Sequence, residues 1–581
     1  MPRPISASVF ISLLAGFSRV AATSGWHFVQ NGTTGLLALE ATIVSPTLAL
    51  LYDLSATRTP LLMGNESAWG ALYDLTTNVV TPIQVNSDTF CASGATLSNG
   101  STVSVGGNWI PTLSQGVNGY QGLRIFEPCT SPSGVGCTLY DDPSTLHLTA
   151  ARWYPSAIRI YDGSLFIAGG SLNFSLFYNE FPENSYEFFP PRDGGVVRPS
   201  PFLVRAGKTN MFPRIFSLTD GTIFMVAGNQ SIIYNVDTKK ETRLPDIPNG
   251  VKVSNPFDGS AQLLPLSPPN YIPEVLVCGG SDTDERIAPP ELSSQTPASD
   301  QCSRIELSPA GIKRGWIVER MPERRILPEM LILPTGQIII VNGAQTGYSA
   351  FSSFLSWIKD PVGNSNADHP NFTPTLYDPL APVGKRMIKK GLPTTNIARM
   401  YHSTATVTPS GQVSCFGHDT AISNCANRNI LIAGSNPQVE VNTTVPYPTE
   451  FRVEYLNPPY MYLERPVLSR VPAKVAFDAH FTLQVTLPKK AGIFPTIKVA
   501  LMDLGFSSHA FHSSNRLVYL EATLDRDHKT LHITSPPNNR VYPPGPGYLY
   551  VVVADEYVSV GAQIMIGSGA SPPVPDQGRR L

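Results

Sequence analysis

One unit recurs along the chain and limits what it can fold into. Each copy has a glycine-bearing turn, four or five apolar β formers, and then a small glycine-rich break. The copies are Asn99–Gly107, Asp162–Gly170, Asp220–Gly228, Glu274–Gly280, Thr335–Gly343 and Asn429–Gly434. They recur at roughly 50 to 65 residues, with one longer interval before the last, a period in the range of repeat architectures. The apolar runs do not alternate, so they read as strands covered on both faces, lying on inner strands near a common axis. The glycines that follow let backbones crowd together where the units converge. With 46 glycines and 54 prolines among 581 residues, long helical bundles and coiled coils are disfavoured.

The period matches the kelch type of β-propeller, one four-stranded blade per repeat. Six copies leave room for a seventh blade from Leu37–Ala41 and Leu48–Tyr52, with closure by the two chain ends. After Pro446-Tyr447-Pro448 the period stops. Alternating segments follow, among them Phe481–Leu487 and Tyr548–Val553, separated by Pro-Pro and Asn-Asn turns. The expected fold is therefore all-β: a seven-bladed kelch-type β-propeller over 23–450, then an immunoglobulin-like β-sandwich over 451–570 and a polar tail over 571–581.

Residues 1–22 read as a secretory signal. Arg3 is followed by an apolar run through Val9, Phe10, Ile11, Leu13, Leu14 and Phe17 that is too short to span a bilayer, then by small residues at Ala21 and Ala22. Seven N-x-[ST] sequons, at Asn31, Asn65, Asn99, Asn173, Asn229, Asn371 and Asn442, support a secreted, extracellular glycoprotein. The polar carboxyl end speaks against a GPI anchor. A net charge of −2 gives no electrostatic footprint for nucleic acid or for a membrane surface, and the chain is expected to act as a monomer.

There are seven cysteines. Short loops flanked by turn residues make Cys129–Cys137, Cys278–Cys302 and Cys415–Cys425 the candidate disulfides. Cys91 is left over, and it can be an intermolecular bridge, a buried inert thiol or a site of special chemistry. No P-loop, GxGxxG helix opening, GxSxG elbow or HExxH is present, which removes phosphate, dinucleotide, serine-hydrolase and zincin readings. Among ten histidines, His402, His509 and His512 stand out. On a continuous strand, residues three apart face opposite sides, so only one of His509 and His512 could then be a ligand.

Four stretches now carry a specific resemblance: Asp88-Thr89-Phe90-Cys91, Arg152-Trp153-Tyr154, Arg399-Met400-Tyr401-His402-Ser403 and Gly505-Phe506-Ser507-Ser508-His509. In order and spacing they resemble the metal-site motifs of copper radical oxidases. Ile125–Cys129, Leu244–Gly250 and Asp360–Pro370 are similar to fungal glyoxal oxidase in particular, and the similarity runs over nearly the whole mature chain. The resemblance implies one copper ion held by Tyr154 and Tyr401, as equatorial and axial phenols, and by the imidazoles of His402 and His509. It also implies a thioether between Cys91 and Tyr154, a protein-derived radical cofactor that accounts for the odd thiol. His512 is expected behind the ligands or purely structural. The segment Cys415–Cys425 looks like an insertion, with His418 in a solvated loop.

The residue types suit that chemistry. Cu(II) takes a tetragonal set of nitrogens and oxygens with a position left for substrate. A metal ion can deprotonate a phenol whose free pKa is about 10. The activity implied by the family is oxidation of small aldehydes such as glyoxal and methylglyoxal, as hydrates, to carboxylic acids, with O2 reduced to H2O2. Tyr401 is the expected general base and the Tyr154 radical the hydrogen-atom acceptor. Extracellular peroxidases that consume H2O2 are the implied functional partners. One alternative is a primary-alcohol or galactose oxidase with the same ligands, although little chain precedes the first propeller segment, which favours the glyoxal type. The other is a non-catalytic glycan-binding propeller, whose mark would be a lost ligand; none is lost here.

Overall fold

The computed structural model describes residues 25–580 apart from 57–58, 112–113, 132, 352–357, 410–428, 438–440 and 493–494. The expected signal, Cys415, Cys425 and His418 lie outside the described residues. Six antiparallel sheets follow one another along the chain as blades 1 to 6, spanning 40–82, 93–140, 156–199, 214–243, 259–320 and 329–388. The seventh blade joins the two ends of the propeller. Ser403–Val407, Ile430–Gly434 and Arg452–Asn457 are completed by His27–Thr33, which pairs antiparallel with Arg452–Asn457. The expected boundary near residue 450 therefore falls inside blade 7: the loss of period after Pro448 precedes a strand that still belongs to the propeller.

In blades 2 to 7 the apolar runs are the second strands. In blade 3, for example, Leu165–Ala168 pairs with Ser156–Arg159 on its inner side and Ser185–Phe189 on its outer side. The innermost strands are the ones just before each run, such as Ser93–Thr96, Ser156–Arg159 and Gly259–Leu263. The glycines that end the runs meet the next blade closely. A Cβ on Gly106 would lie 2.3 Å from Arg152 O, and one on Gly279 would lie 2.4 Å from Arg325 O. Buried arginines on the turns that enter the blades bind back into their own blade. Arg152, Arg325 and Arg399 donate through Nη1 to the carbonyls of Gly169, Asn342 and Gly434, each at 2.7 Å. Arg152 and Arg399 also pair with the buried carboxylates of Glu187 and Glu454.

The second domain is a sandwich of two sheets. One holds Val467–Ser469, His480–Thr486, Thr530–Thr534 and Ala522–Leu524; the other holds Lys474–Val475, Ala562–Ile566, Gly545–Val553, Ile497–Asp503 and Arg516–Leu520. Its core continues into the propeller, since Leu483, Val485, Leu501 and Leu549 share one apolar cluster with Phe216, Leu218 and Leu263. The residues after 570 run back along the propeller. Val574 is buried and its N–H donates to Asp162 O at 2.9 Å, while Asn538 bridges to Gly578.

From the sandwich, a hairpin of Phe506–Ser508 and Phe511–Ser513 enters the propeller axis. Phe506–Ser508 adds to the inner edge of blade 1, with Glu40 opposite Ser508, and packs on Ser93–Thr96 of blade 2. Phe511–Ser513 lies against the innermost strands of blades 2 to 6. The ring is closed around this hairpin.

The two disulfides expected among the described cysteines are formed, Cys129–Cys137 and Cys278–Cys302, and Cys91 is buried and belongs to neither. Asn65 and Asn173 are exposed sequons, whereas Asn31, Asn99, Asn229 and Asn442 are half-buried. Asn371 is buried, and its Nδ2 donates to Glu323 Oε2 at 3.3 Å.

Candidate metal centre

Blades 2, 3, 4, 6 and 7 are reached by a short turn two residues ahead of their innermost strand. In blades 2, 3 and 7 the residue there is Cys91, Tyr154 or Tyr401, ahead of Ser93, Ser156 and Ser403. Blades 4 and 6 use the same position for Phe212 and Leu327. The backbone is left-handed at Cys91, Tyr154, Phe212 and Leu327 (φ 60°, 59°, 48° and 62°) and at His402, beside Tyr401 (φ 64°). Such values are unfavourable for non-glycine residues and persist where packing holds them. Their recurrence with Phe212 and Leu327 shows that the turn is a device of the fold. Its effect is to turn these side chains together, and Cys91, Tyr154, Phe212, Leu327 and Tyr401 share one buried cluster.

His509 arrives from the opposite side, at the tip of the axial hairpin. His509 and Ala510 form its two-residue loop and both have positive φ, 50° and 61°, the combination a type I′ turn requires. The hairpin is pinned by four blades: Thr42 Oγ1 donates to Gly505 O, Ser513 Oγ to Gly94 O, Arg214 Nη1 to His509 O and Ser507 Oγ to Glu329 Oε1. Arg214 is itself paired with Asp258 at 2.6 Å, both side chains fully buried. The segment is a hairpin and not one strand, so His509 sits at the tip and His512 on the returning strand, where its ring lies against Gly505.

Four rings surround one point. Ring centroids are 3.9 Å apart for Tyr401 and His402, 5.0 Å for His402 and His509, and 5.3 Å for His509 with either tyrosine. The hydroxyls of Tyr154 and Tyr401 hydrogen-bond to each other. Ligand atoms of Cys91, His402 and His509 all lie within 4.8 Å of one another. Tyr154 N donates to Cys91 O at 3.2 Å, and the two side chains interact directly. Every one of these residues is buried.

The imidazole tautomers follow from their partners. His402 Nδ1 is 2.9 Å from Asn436 O, and a carbonyl only accepts, so Nδ1 carries the hydrogen and Nε2 the lone pair. His509 Nδ1 is 2.8 Å from Ser508 Oγ. Burial, and then the Arg214 charge, hold the His509 ring down at about 3, so it is neutral. Burial likewise pushes the Tyr154 and Tyr401 phenols well above the ordinary tyrosine range, with Cys91 beside both adding to it. Burial pushes the Cys91 thiol up as well. Two imidazole nitrogens and two phenol oxygens brought together in a buried site are a donor set that fits a tetragonal Cu(II), and a bound metal ion would offset the cost of ionising the phenols.

The arrangement brings Cys91, Tyr154, Tyr401, His402 and His509 together and leaves His512 out. Sequence reasoning missed the residues that hold them. Trp153 packs edge-on to Tyr154 at 4.5 Å and stacks on Phe174 at 5.0 Å, while Phe212 stacks on His509 at 4.8 Å. Phe212 was within reach, because Met211-Phe212-Pro213 repeats the form of Trp153-Tyr154-Pro155. A cavity of about 770 Å³ opens elsewhere, on blades 3 and 4 beside Tyr186, Arg198, Tyr234 and Lys239, and no site residue lines it.

Comparison with known proteins bears on this geometry. A family profile of the glyoxal oxidase N-terminus matches residues 61–460, and one of the galactose oxidase-like early set domain matches 465–566. The aldehyde oxidase GLOX of Vitis pseudoreticulata is 31% identical over 500 residues, 84% of this chain and 83% of that protein. The aldehyde oxidase GLOX1 of Arabidopsis thaliana is 29% identical over 517 residues, 86% of this chain and 75% of that protein. Among solved structures, a fungal alcohol oxidase of the AA5 family in complex with copper has the same fold, with a TM-score of 0.67 at 15% identity, covering 94% of this chain and 100% of that chain.

Proposed function

The chain belongs to the glyoxal oxidase family of copper radical oxidases, and on that premise we propose that it is a secreted, monomeric enzyme that oxidises small aldehyde hydrates such as those of glyoxal and methylglyoxal. The observation that carries the reading is the convergence of Tyr154, Tyr401, His402 and His509 on one buried point, with Cys91 beside Tyr154. In this reading those four side chains are the copper ligands, and Cys91 Sγ is joined to the Tyr154 ring.

Copper, when bound, supplies one of the two electron acceptors and an open position for substrate. The chain does the rest. Tyr401 Oη takes a hydroxyl proton from the hydrate. Tyr154, oxidised by one electron to its phenoxyl radical, takes the hydrogen atom from carbon at Oη and returns to the phenol, the attached sulfur making that phenol easier to oxidise. His402 and His509, each with Nδ1 engaged by its own partner, hold their Nε2 atoms toward the same point. Overall the hydrate gives up two electrons and two protons and becomes the carboxylic acid, and O2 gains them and becomes H2O2, for which extracellular peroxidases are the natural consumers. Burial of all five side chains keeps water from the radical and favours a small substrate. Secretion is supported by the two disulfides, and among the described residues no helix is long and apolar enough to cross a membrane.

The test is peroxide release from copper-loaded, oxidatively activated protein given methylglyoxal and D-galactose in parallel. Faster release with methylglyoxal is expected, and faster release with galactose would overturn the substrate assignment. Tyr154→Phe should bring turnover to background while retaining copper; wild-type turnover in that variant would sink the radical assignment.

A further inference from the structure

The two histidines at the centre reach the same tautomer by different means. His402 Nδ1 donates to a backbone carbonyl, that of Asn436, a partner no substitution can remove. His509 Nδ1 faces a hydroxyl, Ser508 Oγ, which could either donate or accept. A hydroxyl has one hydrogen, and that of Ser508 goes to Ala92 O, 3.1 Å away across the boundary between the hairpin and blade 2. Oγ is therefore left to accept from Nδ1–H, and the lone pair of His509 falls on Nε2. That atom is buried and has no hydrogen-bond partner among the described residues.

The carbonyl that takes the Ser508 proton belongs to a fixed peptide. Ala92 N donates to Thr89 O at 2.9 Å and to Glu40 Oε1 at 3.1 Å, and the preceding carbonyl, Cys91 O, accepts from Tyr154 N. The chain of contacts thus runs from the Cys91 turn through Ser508 to the one ligand that the second domain supplies. Ser508 is itself buried and paired in register with Glu40, so its hydroxyl has no solvent alternative.

From this geometry we infer that Ser508 is a positioning residue: its hydroxyl, oriented by the Ala92 carbonyl, fixes His509 in the tautomer that presents Nε2 and ties that imidazole to the Cys91 turn. The inference rests on His509 being a copper ligand. Hydrogen bonds of this kind to metal-bound histidine are worth about 10–100-fold in metal affinity.

The test compares Ser508→Thr with Ser508→Val, two side chains of one shape that differ in the hydroxyl, alongside Ser508→Ala and His509→Ala. The probe is Cu(II) alone, its affinity read by chelator competition and its environment by the Cu(II) electron paramagnetic resonance spectrum. Ser508→Val and Ser508→Ala should bind Cu(II) about 10–100-fold more weakly with an altered spectrum, and Ser508→Thr should keep the wild-type affinity and spectrum. If His509→Ala loses affinity while Ser508→Val and Ser508→Ala do not, or if Thr and Val lose it equally, the role given to Ser508 is overturned and the ligand set stands. If His509→Ala binds Cu(II) as wild type does, the ligand reading fails and this inference with it. Should the larger side chains prevent folding, Ser508→Ala against wild type decides the matter.

Discussion

Glu329 gives the sharpest test of the buried network around the axial hairpin. It opens the innermost strand of blade 6 and is fully buried. Its Oε1 accepts from Ser507 Oγ at 3.2 Å, and its Oε2 has no hydrogen-bond partner among the described residues. Burial pushes its carboxyl from 4.5 to about 8, with the Ser507 hydrogen bond and the Arg214 charge only partly offsetting that. The folded protein therefore holds a proton there across a window in which the unfolded chain has lost it. Where the native state binds more protons, stability falls as pH rises, by about 1.36 kcal/mol per pH unit for one group. The contribution is fully present below 4.5 and lost by about 8. Glu329→Gln keeps the shape and the acceptor and cannot titrate. Between about pH 5.5 and about pH 7.5 the variant should gain roughly 2 kcal/mol relative to wild type. Glu40, held up to about 8 by burial in the same way, is common to both proteins and cancels, as do the histidines. The assay is urea unfolding of both proteins at half-unit pH steps, with the difference in unfolding free energy plotted against pH. Parallel curves would refute the reasoning, because they would mean that Glu329 ionises in the fold as readily as in the unfolded chain.

Two further outcomes follow from the blades and their junctions. Arg399→Ala removes one half of the buried pair with Glu454 and leaves that carboxylate uncompensated, so urea unfolding should show a loss of about 3–5 kcal/mol; a loss below 1 kcal/mol would count against the pair. Gly106→Ala and Gly384→Ala both place a Cβ at positive φ, at a cost of about 1 kcal/mol each. Only Gly106 also meets a neighbour, Arg152 O at 2.3 Å, whereas Gly384 faces open space, so Gly106→Ala should unfold about 1–3 kcal/mol more easily than Gly384→Ala.

The blades were legible in the sequence because their second strands are covered on both faces and so lose alternation. The innermost strands were not, and the reason is visible in what they touch. Ser93–Thr96, Ser156–Arg159 and Gly259–Leu263 read as SGAT, SAIR and GSAQL, small and polar stretches without a hydrophobic period. They line an axis filled by a hairpin whose serines and carbonyls need partners, as Ser513 does at Gly94 O. Reading apolarity as nearness to the axis therefore set the runs one strand too far in. The hairpin tip was hidden for a related reason. A type I′ turn usually announces itself as Asn-Gly, and here the strained pair is His509-Ala510, held by the surrounding blades. The site residues came from four short motifs, not from any spacing rule, because what joins them is the ring and not the chain.

Tyr154 and Tyr401 are 247 residues apart in sequence, yet their hydroxyls touch. Tyr401 and His402 lead into blade 7, whose fourth strand, His27–Thr33, comes from the other end of the propeller. His509 reaches the axis only because the sandwich is docked, through a shared core and the Arg159–Asp503 pair at 2.6 Å. Opening the ring or undocking the sandwich would each remove one side of the site. Any ligand that binds the assembled centre and not its parts must stabilise both contacts together, by an amount set only by its concentration and affinity. A metal held at this centre would therefore link ring closure to domain docking. The strained turns at Cys91, Tyr154 and His402 can persist because the same packing that closes the ring holds all three.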